Sequence, residues 1–104
     1  MDKREAIDIA NKYVKLVGEK FQVEKALLFG SFAKGTNHPD SDIDLAIVFE
    51  TVDDIIDRQI ELMIMRTDDE LIIEPHPFIL SDFKKSNPVV HEIIKNGIEL
   101  SEVA

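Results

Sequence analysis

Apolar residues Ile7, Ala10, Val14 and Val17 recur at three- and four-residue intervals near the start of the chain, the spacing that keeps them on one face of an α-helix. Asp2-Lys3-Arg4-Glu5 just ahead has capping-box spacing, so a first helix is predicted over residues 3 to 17, before Gly18. Lys12, Lys15 and Glu19 fall on its polar side and read as a solvated face. The period then shortens. Residues 23 to 29 and 43 to 49 carry the apolar runs Ala26-Leu27-Leu28-Phe29 and Ile43 to Phe49, which predict two strands, the first stopped by Gly30. Helical spacing returns at Ile55, Ile56, Ile60, Met63 and Ile64, giving a second helix from Val52 to Met65 with Thr51 or Asp53 as cap. Met63 and Met65 read as core filler. Leu71-Ile72-Ile73-Glu74 resumes the strand pattern, and Pro75 and Pro77 either place that strand at a sheet edge or end it near Glu74. One short helical turn is expected within Ser81 to Lys85, Asn87-Pro88 is expected to open a further helix with Asn87 as cap that Gly97 closes, and Ile98-Glu99-Leu100 predicts a last short strand. The order helix, strand, turn, strand, helix, strand, helix predicts an α/β (α+β) fold, a small mixed β-sheet with helices packed against it.

A chain of 104 residues with 44% apolar side chains fits a single domain over residues 1–104 with one modest core. Cysteine is absent, which removes disulfides, thiolate metal sites and cysteine nucleophiles together. The start does not resemble a signal peptide and no apolar run reaches membrane-spanning length, so a cytoplasmic protein away from membranes is expected. Twenty-one acidic against twelve basic residues give a net charge of −9. Such a surface repels phosphate backbones and argues against stable binding of nucleic acid. It suits a basic protein partner, or solubility alone.

The chemistry concentrates in Gly30 to Asp44, GSFAKGTNHPDSDID. Gly30-Ser31 closes an apolar run, ten residues intervene, and Asp42 and Asp44 open the next run. A small residue followed by a hydroxyl at a strand end lets backbone N–H groups and Ser31 Oγ approach phosphate oxygens, the more so if Ser31 to Lys34 wind into a helical turn. Gly35 permits the exit bend, and the polar loop Thr36 to Ser41 returns the chain to Asp42. Strand alternation points Asp42 and Asp44 to one face, about 7 Å apart along it. Two such carboxylates repel unless a cation sits between them, and Mg²⁺ takes oxygen ligands of this kind with substrate phosphates completing its shell. DxD or Gly-Ser alone is an ordinary turn; together, between apolar runs, they point to a nucleotide site.

Leu28 to Val48 resembles the signature of the DNA polymerase beta-like nucleotidyltransferase superfamily, Gly-Ser followed after about ten residues by DxD within apolar strands. The short chain is similar to the minimal nucleotidyltransferases, which include the antitoxin partners of HEPN-domain toxins. The resemblance implies a nucleotidyltransferase fold, two Mg²⁺ ions and ATP as substrate. It also implies a hetero-oligomer in which AMP passes to a tyrosine hydroxyl of a HEPN-domain toxin. Larger relatives carry acceptor-binding domains, so the acceptor here is expected on another chain or a second copy.

Two metal ions call for a further acidic ligand. Glu74, flanked by apolar Ile72 and Ile73 and on a strand face with His76, is the candidate, with Asp69 as fallback. In the family the third acidic residue sits on the strand after the helix that follows DxD, which is the place of Glu74; Asp is often found there. The bland reading of Glu74 is an edge-strand charge that deters aggregation. Asp42, Asp44 and Glu74 are thus the expected metal ligands and catalytic residues, with Glu74 or Asp44 accepting the proton of the attacking hydroxyl. Gly30 and Ser31 are expected to seat the β- and γ-phosphates, and Lys34 either neutralises pyrophosphate or faces solvent. Phe32 stands where minimal nucleotidyltransferases commonly carry arginine, a departure that weakens the triphosphate grip. His76 either contacts substrate or orients Glu74, or is a rigid turn residue between prolines. His38 and His91 read as surface. Two other functions stay open: a binding antitoxin that masks its partner without chemistry, and an adenylyltransferase for small molecules of the aminoglycoside type.

Overall fold

Asp2 caps the first helix, α1 (Lys3–Lys20), its carboxylate accepting the Glu5 N–H at 2.8 Å in a computed structural model that describes residues 1–101. The helix runs through Gly18 to Lys20, three residues beyond the predicted end, because packing of its buried face outweighs the small cost of one helical glycine. Strand β1 (Lys25–Phe29) follows, then a single turn α2 (Ser31–Lys34) and strand β2 (Ile43–Phe49). Helix α3 (Ile55–Ile64), strand β3 (Ile73–Ile79), helix α4 (Pro88–Asn96) and the short β4 (Ile98–Glu99) complete the order. The four strands form one mixed sheet in the order β3-β2-β1-β4. β1 pairs antiparallel with β2 and with β4, and β3 pairs parallel with β2. The mixed sheet with flanking helices is the expected α/β architecture.

One face of the sheet is closed. Ala6, Ala10, Tyr13, Val14 and Val17 of α1 meet Ala26, Leu28, Ile43, Leu45, Ile47 and Phe49 there, with Leu62 and Phe32 completing the core. The opposite face carries a smaller cluster of Leu27, Ala46 and Ile93 with Phe29, Phe78 and Phe83 packed against it, and α4 covers only part of that face. Side-chain alternation places Asp44 on this half-open side.

β3 does not end at Glu74; it continues through both prolines to Ile79 along the sheet edge. Ile43 N–H donates to the Ile72 carbonyl at 2.8 Å, so even-numbered residues of β3 turn their backbone groups toward β2 and Pro75 and Pro77 fall on the open side, where no N–H is required. The carbonyls along that open side are covered from α3 and the turn after it: Gln59 Nε2 donates to Pro75 at 3.2 Å, and Arg66 Nη1 to Ile73 and to Leu71, just ahead of β3, at 3.0 and 3.1 Å.

α3 itself departs from its predicted bounds and cap. Asp54, not Thr51 or Asp53, caps it, accepting the N–H groups of Ile56 and Asp57 at 2.9 and 3.0 Å. Leu62 is its buried residue, whereas Ile56, Ile60 and Ile64, one turn apart, are exposed. Met63 is exposed too, so it is not core filler, while the half-buried Met65 packs against the core. The helix lies against an edge strand and can bury only a narrow stripe. Among the described residues no helix is long and apolar enough to cross a membrane.

Tyr13 joins α1 to α3: its hydroxyl donates to the Leu62 carbonyl, one of the last-turn acceptors that α3 cannot satisfy internally. Burial pushes the Tyr13 phenol well above the ordinary tyrosine range. Tyr13→Phe leaves that buried carbonyl without a donor and is expected to cost about 1–2 kcal/mol, read as a lower urea midpoint at unchanged slope. An unshifted midpoint would show that the hydroxyl contributes nothing.

Candidate functional site

The chain leaves β1 through Gly30 at φ 74°, ψ −151°, a region close to glycine-only territory. Space imposes the same choice, since a Cβ at Gly30 would overlap the Asp44 carboxylate. Asp44 stands opposite Phe29 in the antiparallel pair and opposite Glu74 in the parallel pair, so the three form one row across the sheet. His76 lies two residues beyond Glu74, on the same strand face. Asp44, Glu74 and His76 each bring one donor atom to within 4.8 Å of the others. His76 Nε2 is 3.3 Å from Asp44 Oδ1, and the Phe29 ring packs on the imidazole with centroids 5.2 Å apart. Asp44 and His76 keep 29% and 31% of their side-chain surface, and Glu74 is exposed, which leaves the corner open to a ligand. Carboxylates this close repel, and a divalent cation between them removes that cost. The donor set therefore fits a bound metal.

Asp42 is placed differently. It is exposed, precedes β2, and lines a separate cavity of about 260 Å³ with Gln59, Met63, Arg66, Ile73 and Glu74. Glu74 borders both regions. The structure thus brings Asp44 and Glu74 together with His76, and sets Asp42 at the neighbouring cavity outside the three-donor group. A larger cavity of about 740 Å³ lies toward the other end of β3, between Ile55, Phe78 and Pro88, and contains none of Asp42, Asp44 or Glu74.

Ser31 opens α2 directly after the Gly30 bend, and the first N–H groups of such a turn have no intrahelical acceptors. Phe32 is 2% exposed and belongs to the main core; its position anchors the turn and is unsuited to an outward cation. Lys34 is solvent-exposed and paired with Glu92 of α4 at 2.8 Å. The bonds from Lys34 and from Asn96 hold the Glu92 carboxyl below its usual range. An anion approaching Lys34 competes with Glu92. Beside this pair, Phe29, Pro88, Val89 and Ile93 line an apolar cavity of about 340 Å³. His38 sits in the exposed loop, His91 on exposed α4, and Asp69 in an exposed turn outside the donor group.

Glu70 and Arg66 were not singled out by sequence reasoning. Glu70 is 1% exposed and accepts both the N–H and the hydroxyl of Thr67 at 2.9 Å; its Thr-x-x-Glu spacing was the available signal.

The family described as polymerase beta, nucleotidyltransferase matches residues 11–103. The chain belongs to this family. A candidate protein adenylyltransferase of Methanocaldococcus jannaschii is 37% identical over 43 residues, 41% of this chain and 43% of that relative's length. The crystal structure of a candidate nucleotidyltransferase from Sulfolobus solfataricus superposes with a TM-score of 0.70 at 20% identity, covering 93% of this chain and 80% of that one. A toxin–antitoxin crystallised with AMP-PNP gives a TM-score of 0.65 at 26% identity, with 88% and 72% of the two chains covered. In this family member Gly30→Ala is expected to lose about 1–3 kcal/mol of stability from backbone strain alone. Thermal denaturation checks it; a variant as stable as the parent would contradict the close seating of Asp44 on Gly30.

Proposed function

We propose that this nucleotidyltransferase moves AMP from ATP to a hydroxyl of a HEPN-domain toxin and acts as its antitoxin. The observation that carries the reading is the Asp44 carboxylate lying against Gly30 while facing Glu74, which supports a role for the Gly30–Ser31 turn in seating phosphate and for the two carboxylates in holding a metal. Family membership, the adenylyltransferase relative and the AMP-PNP-bound toxin–antitoxin support the same chemistry. Asp44 and Glu74, with Asp42 at the adjoining cavity, would hold Mg²⁺. Bound there, Mg²⁺ supplies neutralising charge for the triphosphate and for the charge that develops at the α-phosphate.

The protein groups do the rest. Gly30 and Ser31 orient the β- and γ-phosphates through backbone N–H groups and the Ser31 hydroxyl. The acceptor oxygen bonds to the α-phosphorus as the bond to the bridging oxygen breaks, and pyrophosphate departs. Glu74 or Asp44 takes the hydroxyl proton. Lys34 exchanges Glu92 for the leaving phosphates. The exposed Ile56, Ile60 and Ile64 on α3 offer an apolar stripe that a protein partner would cover.

That stripe, with Phe32 withdrawn into the core, also favours a second reading in which the chain masks its toxin without transfer. ATP labelled at the α-phosphate separates the two. With Mg²⁺ and the co-expressed toxin, label is expected on the toxin from α-labelled and not from γ-labelled ATP, falling by about a hundredfold or more in Asp44→Asn. Toxin neutralised equally by Asp44→Asn without any label would leave masking as the function. Ser31→Ala is expected to weaken nucleotide binding by about 1 kcal/mol, measured by calorimetry; unchanged affinity would remove its hydroxyl from the site.

A further inference from the structure

We propose that His76 Nε2 is a direct ligand of the divalent cation held by Asp44 and Glu74, which biases this corner toward first-row transition metals over Mg²⁺. The inference rests on the reading of Asp44 and Glu74 as metal ligands and adds a nitrogen donor to it. The separation of 3.3 Å between His76 Nε2 and Asp44 Oδ1 suits a shared ion: two donors bound at about 2.1 Å each and about 100° apart stand about 3.2 Å from one another. Glu74 is exposed and completes a group spanning no more than 4.8 Å, a distance that a small side-chain rotation closes onto one cation.

The strand is built to keep both donors in place. In Glu74-Pro75-His76-Pro77 each donor residue precedes a proline, and that neighbour confines its backbone to extended geometry. The parallel register fixes Glu74 beside Asp44 and His76 beside Ala46. The Phe29 ring, tilted 60° against the imidazole, limits its rotation. As it stands, His76 Nε2 and Asp44 Oδ1 are within hydrogen-bond reach of each other, a contact that a shared cation would replace. Imidazole is a common ligand of first-row transition metals, whereas Mg²⁺ selects oxygen donors. Loss of the nitrogen should therefore weaken one class of ion much more than the other.

Manganese binding to the whole chain tests this, read by electron spin-echo modulation and by titration. The parent is expected to show imidazole-nitrogen modulation on bound Mn²⁺. His76→Gln should abolish it and weaken Mn²⁺ by about tenfold or more, while Mg²⁺ affinity, measured by competition, changes much less. Modulation that persists in His76→Gln would overturn the proposal, because another nitrogen would be the ligand. Mn²⁺ that Asp44→Asn releases but that never shows nitrogen modulation would also overturn it and leave the carboxylate site standing. Failure to find any Mn²⁺ binding that depends on Asp44 would remove both.

Discussion

Asp44 lies so close over Gly30 that no side chain fits between the carboxylate and the backbone, and the strand pairings on either side of Asp44 gather the other site residues around that contact. β1 has to stop there, at a backbone geometry close to glycine-only territory. The antiparallel register sets Phe29 across from Asp44, and the parallel register sets Glu74 on the other side. A shift of one residue between β1 and β2 would turn Asp44 toward the closed core, and one between β2 and β3 would turn Glu74 and His76 away from Asp44.

The two sheet faces divide the labour. α1 seals one of them with Tyr13, Val14 and Val17 against the alternating residues of β2, and that packing holds the strands in register. The other face is covered by α4 only in part, which leaves Asp44 and His76 about one-third exposed beside an apolar floor of Leu27 and Ala46. A site shared between the central strand β2 and its edge neighbour β3 keeps its geometry through their pairing while remaining open to solvent. Where the sheet edge is exposed, at β3, prolines and the side chains of Arg66 and Gln59 occupy it, so the edge that carries Glu74 and His76 is protected from pairing with other chains.

Local features were readable from the sequence. The Gly30 stop, the Asp2 cap, the Asn87 cap that accepts the Val89 N–H at 3.0 Å and the turn from Ser31 to Lys34 all depend on a few neighbouring residues, whereas the prolines of β3 left an edge strand and an end near Glu74 both open. Tertiary outcomes were less so. The apolar positions of α3 have helical spacing whether they face a core or solvent, and nothing local says that Ile56, Ile60 and Ile64 stay uncovered. Asp42 and Asp44 have strand spacing, but Asp42 is exposed just ahead of β2 and lines a cavity apart from the corner where Asp44 meets His76. The approach of His76 to Asp44 arises from parallel pairing between strands about thirty residues apart in the chain, a relation that no short motif encodes. Phe32 is explained by the core, which takes an apolar residue at that position and leaves no room for an outward cation.

The account stands on phosphates and metal meeting at the corner where β1 ends against Asp44. A crystal grown with manganese and a non-hydrolysable ATP analogue, recorded at a wavelength where manganese scatters anomalously, examines that corner directly. The account predicts an anomalous peak between Asp44 and Glu74, with the triphosphate against Gly30 and Ser31. A nucleotide seated elsewhere, with no metal at Asp44, would contradict it.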